Sequence, residues 1–329
     1  MGRRRWMVFP VLVLALALVT AGCGNDEDEE TTATTARRQS QTPPSFAVGS
    51  TMAAIQAKGK LVVGTKFDQP GLGQRNPTNN QVEGFDVEIA KILAVGIFGG
   101  TVDNIGDKVQ FVETVSKNRE PFIQNGNVDI VIATYTINDA RKQVVDFAGP
   151  YFLAHQDMLV KSSDNSIKTV TDLNGKKACS VTGSTSEKNV KAKAPQVDVL
   201  ALDNYSQCVQ ALLDGRVVAV TTDDAILAGY ATQNPGQLKV VGAPFSDEPY
   251  GVGLKKGDDA FREFLNTTLE ASFSNGTWSR AFQSTLGKSG FKEPPPPTIN
   301  RYTSTGPATT TAGGATTTTG ARTTSTTRP

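Results

Sequence analysis

The clearest chemistry in this 329-residue chain lies at residues 134–141, reading T-Y-T-I-N-D-A-R. The stretch follows a short apolar run, residues 129–133, with the composition of a buried strand. Asn138 or Asp139 can cap a helix opening here, which places Arg141 in its first turn. Free main-chain N–H groups beside a guanidinium fork favour an anion, above all a carboxylate. An ordinary strand–loop–helix junction with a surface arginine has the same local sequence. A second anion cradle, without lysine or arginine, lies at 182–187, where Ser184 and Glu187 fit a capping box. It is not a P-loop, because no Gly-Lys-Ser/Thr follows. The single histidine, His155, argues against a histidine-based metal centre, and no CxxC or HxxxH spacing occurs.

These groups need a frame that brings distant loops together. Leu61-Val62-Val63-Gly64-Thr65 reads as a buried strand opening into a turn-rich loop at 66–71. Residues 84–93 show helical spacing of apolar positions, with Asp86 near the helix start. A second strand at 109–112 leads into Ser116-Lys117-Asn118-Arg119, a short helix at 120–124 and the strand at 129–133. Strand–loop–helix order predicts an open parallel sheet, whose ligands sit outside the carboxyl ends of the strands. The polar loops starting near Lys66, Ser116 and Thr134 all leave from those ends. The grammar restarts with strands at 178–181, 197–200 and 217–221, a helix from Ser184 and another at 206–213. One parallel unit then covers about 58–151 and a second about 156–242. Residues 252–254 and the helices of 258–287 must join one of the two.

The termini have a different composition. Arg3-Arg4-Arg5 and the apolar run 6–19 form an export signal over residues 1–22, too short for a comfortable membrane span. Cys23 then stands where a lipoprotein signal is acylated, although Thr20 replaces the usual leucine or valine; an ordinary secretory signal is the alternative. Residues 23–44, acidic and then polar, cannot bury a core and read as a tether. Residues 294–329, rich in Pro and Thr, read as a disordered tail, glycosylated or bare. The folded part, from about 45 to 292, is large enough for one big domain or two lobes. A net charge of +1 implies no nucleic-acid partner. With Cys23 acylated, Cys179 and Cys208 are left as a disulfide pair or as two buried free thiols.

The chain resembles the extracytoplasmic solute-binding proteins of polar amino-acid importers driven by ATP-binding cassettes, with the actinobacterial glutamate-binding lipoproteins the nearest likeness. The residues carrying the resemblance are Gly64-Thr65-Lys66, Gly84-Phe85-Asp86-Val87, Ala133-Thr134-Tyr135-Thr136-Ile137-Asn138 with Arg141, and Gly149-Pro150-Tyr151. They continue through Gly183-Ser184-Thr185, Cys208, Thr221-Thr222-Asp223-Asp224 and Tyr250-Gly251-Val252-Gly253-Leu254. The resemblance implies an α/β fold of two lobes, each a mainly parallel sheet flanked by helices, joined by two hinge strands. Lobe 1 would take 45–151, the first hinge 152–155 and lobe 2 156–242, with 243–293 crossing back to lobe 1 through a second hinge near 241–245. It also implies that Arg141 grips an α-carboxylate, helped by Thr136, with Ser184 or Thr185 closing from lobe 2. Asp223 would accept from the α-ammonium and Thr134 would add a lobe 1 contact. Lys66, Ser116 and Arg119 would reach the distal end of an acidic ligand, and Asn204 would add a lobe 2 contact. A Cys179–Cys208 disulfide fits the same group.

Charge counting then bears on the ligand. A zwitterion needs one cation and one anion, which Arg141 and Asp223 supply. An acidic side chain adds a carboxylate, and Lys66 and Arg119 are the available match, so L-glutamate or L-aspartate is expected over the amides. No cofactor, metal or catalytic residue is expected, because only Lys66 and Asp223 could do acid–base work and both are used as charge partners. The expected protein is a lipid-anchored monomer on the extracytoplasmic face that delivers its ligand to a permease. A receptor read by a membrane sensor is the other reading.

Overall fold

A computed structural model describes residues 42–303. The leader, Cys23, most of the tether and the Thr-rich stretch beyond residue 303 lie outside the described residues. Twelve strands are found among those described: β1 Leu61–Thr65, β2 Asp68–Gln69, β3 Gly73–Arg75, β4 Val82–Glu83, β5 Val109–Glu113, β6 Ile130–Val131, β7 Asp146–Lys161, β8 Lys177–Val181, β9 Asp198–Leu202, β10 Ala219–Asp223, β11 Leu238–Val240 and β12 Ser246–Leu254. The helices are α1 Thr51–Lys58, α2 Phe85–Phe98, α3 Arg119–Gln124, α4 Asp139–Lys142, α5 Thr185–Lys193, α6 Tyr205–Leu213, α7 Asp224–Gln233, α8 Asp259–Ser274 and α9 Thr277–Ser284.

The long strand β7 is the axis of the molecule. Twelve of its sixteen residues are buried, as expected of a central strand with neighbours on both sides. On its first half it pairs antiparallel with β12, which pairs in turn with β6. Beyond β6 come β1 and β5, all three parallel. On its second half β7 pairs with β10, and the parallel strands β8 and β9 follow. The two-lobed α/β arrangement expected from the sequence is the one observed: each lobe carries a parallel unit, and the antiparallel pairings come from the strands that cross between lobes. Residues 252–254 and helices α8 and α9 belong to lobe 1, where β12 lies between β6 and β7.

Two boundaries differ from the expectation. The resemblance implies a second crossing near 241–245, yet that segment is coil tied to the lobe 2 half of β7, through Val241 N–H to the Met158 carbonyl and Phe245 N–H to the Gln156 carbonyl, both 2.9 Å. The crossing is made by β12 itself. The stretch from 294 to 303, expected to be tail, is packed against lobe 1. Ile299 is buried, Asn300 N–H donates to the Gly149 carbonyl at 2.8 Å, and the Arg301 fork bonds both Glu263 and Glu270 of α8. A composition argument sees the prolines and threonines and misses this one apolar anchor and one arginine.

The two hinge strands meet an aromatic cluster of lobe 1. Phe85 packs edge-on against Phe152, Trp278 and Phe282, with ring centroids 5.7, 5.7 and 5.8 Å apart. The Trp278 indole donates to the Tyr151 carbonyl at 2.8 Å, so no polar group is left stranded there. In lobe 2 the Cys179–Cys208 disulfide is formed, with a Cα–Cα distance of 5.4 Å, and pins α6 to β8.

The lobes are shut against each other. Lys117 of lobe 1 pairs with Asp203 of lobe 2 at 2.6 Å, and Ser206 N–H donates to Asp68 at 3.2 Å. Gly183 sits at φ +79°, where a Cβ would lie 2.9 Å from the Lys117 Cα, so only glycine allows this approach.

Candidate functional site

Between the lobes lies a small pocket. Lobe 1 contributes Ser116, Arg119 and Thr134 to its walls; lobe 2 contributes Ser184, Thr185, Ser186, Tyr205, Thr222, Asp223 and Ile226. Six of the ten residues expected at the site therefore form the walls. Lys66 stands one hydrogen bond behind Ser116, its ammonium donating to the Ser116 hydroxyl at 2.8 Å. Thr136 and Arg141 lie at the junction with Thr185 and Gly183 rather than on the walls themselves. Asn204, at the N-terminal cap of α6, is partly exposed and forms no side-chain cap, and its neighbour Tyr205 takes the wall position.

The lobe 1 loop is held in an unusual backbone state. Thr134 has φ +46°, a left-handed conformation that costs a threonine on the order of 1–3 kcal/mol unless its surroundings enforce it. Asp86 does so by accepting from Thr134 N–H at 2.9 Å while its other oxygen takes the Tyr151 hydroxyl at 2.7 Å. Asp86 stands in the first turn of α2, as the sequence implies, but it is fully buried there, and burial pushes its carboxyl up to about 6 against the pull of those hydrogen bonds.

Arg119 is committed more heavily than the sequence implied. Its Nε donates to the Ser116 carbonyl at 3.2 Å and its Nη1 to the carbonyls of Ala133 and Thr134 at 3.1 and 3.2 Å. The guanidinium lies over the Tyr135 ring at 4.4 Å. It ties two loops together as well as forming part of a wall. Arg141 is capped as expected, with Asn138 accepting its N–H at 2.9 Å, although α4 runs for only four residues. Its guanidinium bonds the Thr136 carbonyl at 2.6 Å, reaches the Gly183 carbonyl of lobe 2 at 3.5 Å and pairs with Glu120 at 3.2 Å. Burial, with Arg119 nearby, lowers it to about 10, so it remains a cation at neutral pH.

On the lobe 2 side, Ser184 caps α5, accepting from Glu187 N–H at 3.0 Å as the capping box predicts. The first turn of α5 thereby faces the cavity with Thr185 and Ser186, at a helix end where N–H groups lack intrahelical partners. Asp223 ends β10 and accepts the Tyr250 hydroxyl at 2.6 Å. Burial, and then the charge of Glu248, pushes its carboxyl up to about 8. Asp224 caps its own helix region, accepting from Ala225 N–H and His155 N–H at 2.8 and 3.1 Å.

Sequence reasoning missed three carboxylates beside this site: Asp86, Glu120 and Glu248. The count of two or three cations against Asp223 alone was therefore incomplete. Asp86 was hidden by the helical periodicity around it, Glu120 by its place at the start of the short helix read at 120–124, and Glu248 by a stretch without any motif. Lys66 differs from the two arginines in this respect. It is 4% exposed and, among the described residues, has no carboxylate within ion-pair distance. Burial, with Arg119 beside it, pulls its ammonium down to about 7.

Comparison with known proteins agrees with the fold and the cleft. Residues 61–288 match the model of the bacterial extracellular solute-binding proteins, family 3. The chain is 44% identical to the glutamate-binding protein GluB of Corynebacterium glutamicum over 72% of its own length and 81% of the relative's. It is 42% identical to the ABC transporter glutamine-binding protein GlnH of Bacillus subtilis over 71% of its length and 83% of that relative. Among solved structures, an ancestral arginine-binding protein bound to glutamine is 40% identical, with a TM-score of 0.64, covering 70% of this chain and 98% of that one. A solute receptor for L-cysteine of Neisseria gonorrhoeae is 31% identical, with a TM-score of 0.67, covering 72% and 94%. Members of this family bind solutes rather than transform them, and the present chain belongs to it: it is an extracellular solute-binding protein of family 3.

Proposed function

We propose that the chain is an extracytoplasmic receptor that binds an acidic amino acid, glutamate before aspartate, in the interlobe cavity and delivers it to an ABC permease. Arg141 and the first turn of α5 take the α-carboxylate, with Thr136 and Thr185 beside them. Asp223 takes the α-ammonium, and Thr134 adds a polar contact from lobe 1. The relatives include both glutamate- and glutamine-binding proteins at similar identity, so they support an amino-acid ligand without choosing between acid and amide.

The observation that carries the choice is Lys66, a buried ammonium whose described hydrogen bond goes to a neutral hydroxyl. An unpaired buried charge is costly, and the side-chain carboxylate of glutamate, reaching the Ser116–Lys66 end, would supply the missing partner. An amide would leave it unpaired. Acylation of Cys23, with the residues before 45 as a leash, would keep the receptor at the membrane surface near its permease.

Equilibrium dialysis with labelled glutamate tests the orientation. The chain should bind saturably, and Arg141→Ala should bind at least about 100-fold more weakly, since a charge-assisted bidentate partner is lost. Wild-type affinity in the variant would refute the assignment.

A further inference from the structure

Glu248 is 1% exposed on the crossing strand β12 and is not a wall of the cavity. One of its oxygens, Oε2, accepts from the Thr136 hydroxyl of lobe 1 and from the Thr185 hydroxyl of lobe 2, each at 2.7 Å. Those two hydroxyls lie 3.4 Å apart, at the seam of the lobes. The other oxygen accepts from Ser246 Oγ at 2.8 Å and Asn189 Nδ2 at 2.9 Å. Four donors thus fill the acceptor positions of the carboxylate, so no lone pair of this buried group is left stranded.

The donors come from three separate pieces of chain. Thr136 sits on the loop after β6, which the main chain already ties to β12 through Ile137 N–H to the Pro249 carbonyl at 2.8 Å and Gly251 N–H to the Tyr135 carbonyl at 2.9 Å. Thr185 and Asn189 sit on α5 of lobe 2, and Ser246 on β12 itself. A single oxygen shared by hydroxyls from opposite lobes is satisfied on both sides only when the lobes are shut.

We propose that Glu248 is a positioning residue that couples the lobes: its carboxylate aligns the Thr136 and Thr185 hydroxyls and holds the two ligand-facing loops together in the closed state. Its ligand-binding consequences rest on the amino-acid site proposed above; its coupling of the lobes does not. The charge of Glu248 also reaches the groups that would pair with the ligand's backbone, since it raises the Asp223 carboxyl, second to burial, and supports the Arg141 cation.

Glu248→Gln tests this. Its amide keeps one acceptor oxygen but turns an NH₂ either toward the two threonine hydroxyls or toward the Asn189 amide. Hydrogen exchange is read first, on the purified chain without added amino acid. The variant should speed exchange at amides 136–141 of lobe 1 and 183–190 of lobe 2 together, by about tenfold, while α2 exchanges as before. With glutamate added, dissociation should quicken by about tenfold while association changes by less than about threefold, as expected when a closed state is loosened. A change confined to residues 246–250, no change, or an unaltered dissociation rate would overturn the proposal.

Thr185→Val is the second variant and decides alone if Glu248→Gln does not fold. It should speed exchange at both segments, and the double variant should be no worse than Glu248→Gln, because the hydroxyl acts through the carboxylate. Additive effects would overturn the coupling. Should the wild-type chain bind neither glutamate nor glutamine, the proposed ligand fails while the exchange comparison still decides the role of Glu248.

Discussion

The ammonium of Lys66 donates to the hydroxyl of Ser116 across 2.8 Å, joining the loops that leave β1 and β5. The lysine is buried, a second cation stands nearby in Arg119, and its ammonium is held down to about 7 by these two causes in that order. A carboxylate brought to it would be matched, and would hold the proton that burial loosens.

That proton makes selectivity depend on pH. In the binding mode proposed, glutamate needs Lys66 charged and both ligands need Asp223 charged, so glutamate affinity relative to glutamine should fall as pH rises above about 7, by up to about tenfold per unit. Both ligands need Asp223 ionised, and with its carboxyl raised to about 8 both should gain affinity as pH climbs toward that value. Glutamine affinity should therefore rise and level off, while glutamate affinity should be greatest between about 7 and 8 and fall beyond. Titrations from pH 6 to 9 check this, with Lys66→Met as the control in which both ligands follow one profile. A glutamate-to-glutamine ratio that ignores pH in the wild-type chain would remove Lys66 from the ligand's neighbourhood.

Asp223 should trade stability for binding. Its folded-state value lies above the ordinary 3.8, so the stability linked to its bound proton is complete below about 4 and is lost as pH rises through about 8. Asn at this position does not titrate and can still accept the Tyr250 hydroxyl. The melting temperature of Asp223→Asn relative to wild type should thus climb between pH 5 and 8.5, while amino-acid binding is lost. Parallel melting curves across that range would mean that burial costs this carboxylate nothing.

The segment 294–303 should contribute to the stability of lobe 1. Ending the chain after Glu293 removes buried Ile299 and the Tyr302 hydroxyl that accepts from Phe147 N–H at 2.8 Å, at the start of the long hinge strand. A loss of about 1–3 kcal/mol is expected, or a melting temperature lower by about 2–10 °C for a domain of this size. Arg301→Ala alone should matter less, at under about 1 kcal/mol, because its ion pairs with Glu263 and Glu270 are solvent-exposed. Calorimetric melting of the two variants separates these contributions; an unchanged melting temperature after truncation would make the segment a passive tail.

The sequence was most informative where local rules decide the outcome. The strand at Leu61–Thr65, the Ser184 cap and the Asn138 cap follow from apolar runs and short polar side chains, and all three are found where the pattern places them. Cys179 and Cys208 are joined, an outcome their even number allowed but did not fix. The site was harder, because its geometry depends on residues far apart in sequence. Asp86 fits a helix start locally, yet its partners Thr134 and Tyr151 come from two other segments. Glu248 gave no signal at all, since a glutamate on a strand bordering a turn is ordinary until four donors converge on it. Arg119 was recognisable as a cation near the cleft, but its bonds to the carbonyls of Ala133 and Thr134 needed the fold.

Calorimetric titration of the chain with glutamate, aspartate, glutamine and asparagine at pH 7 tests the central claim most directly. The account predicts saturable binding with glutamate tightest, aspartate next and the amides weaker by about tenfold or more, because only the acids gain a charge-assisted bond to Lys66. Equal or tighter binding of glutamine would contradict it, and would leave Lys66 as a prop for the Ser116 loop rather than a ligand partner.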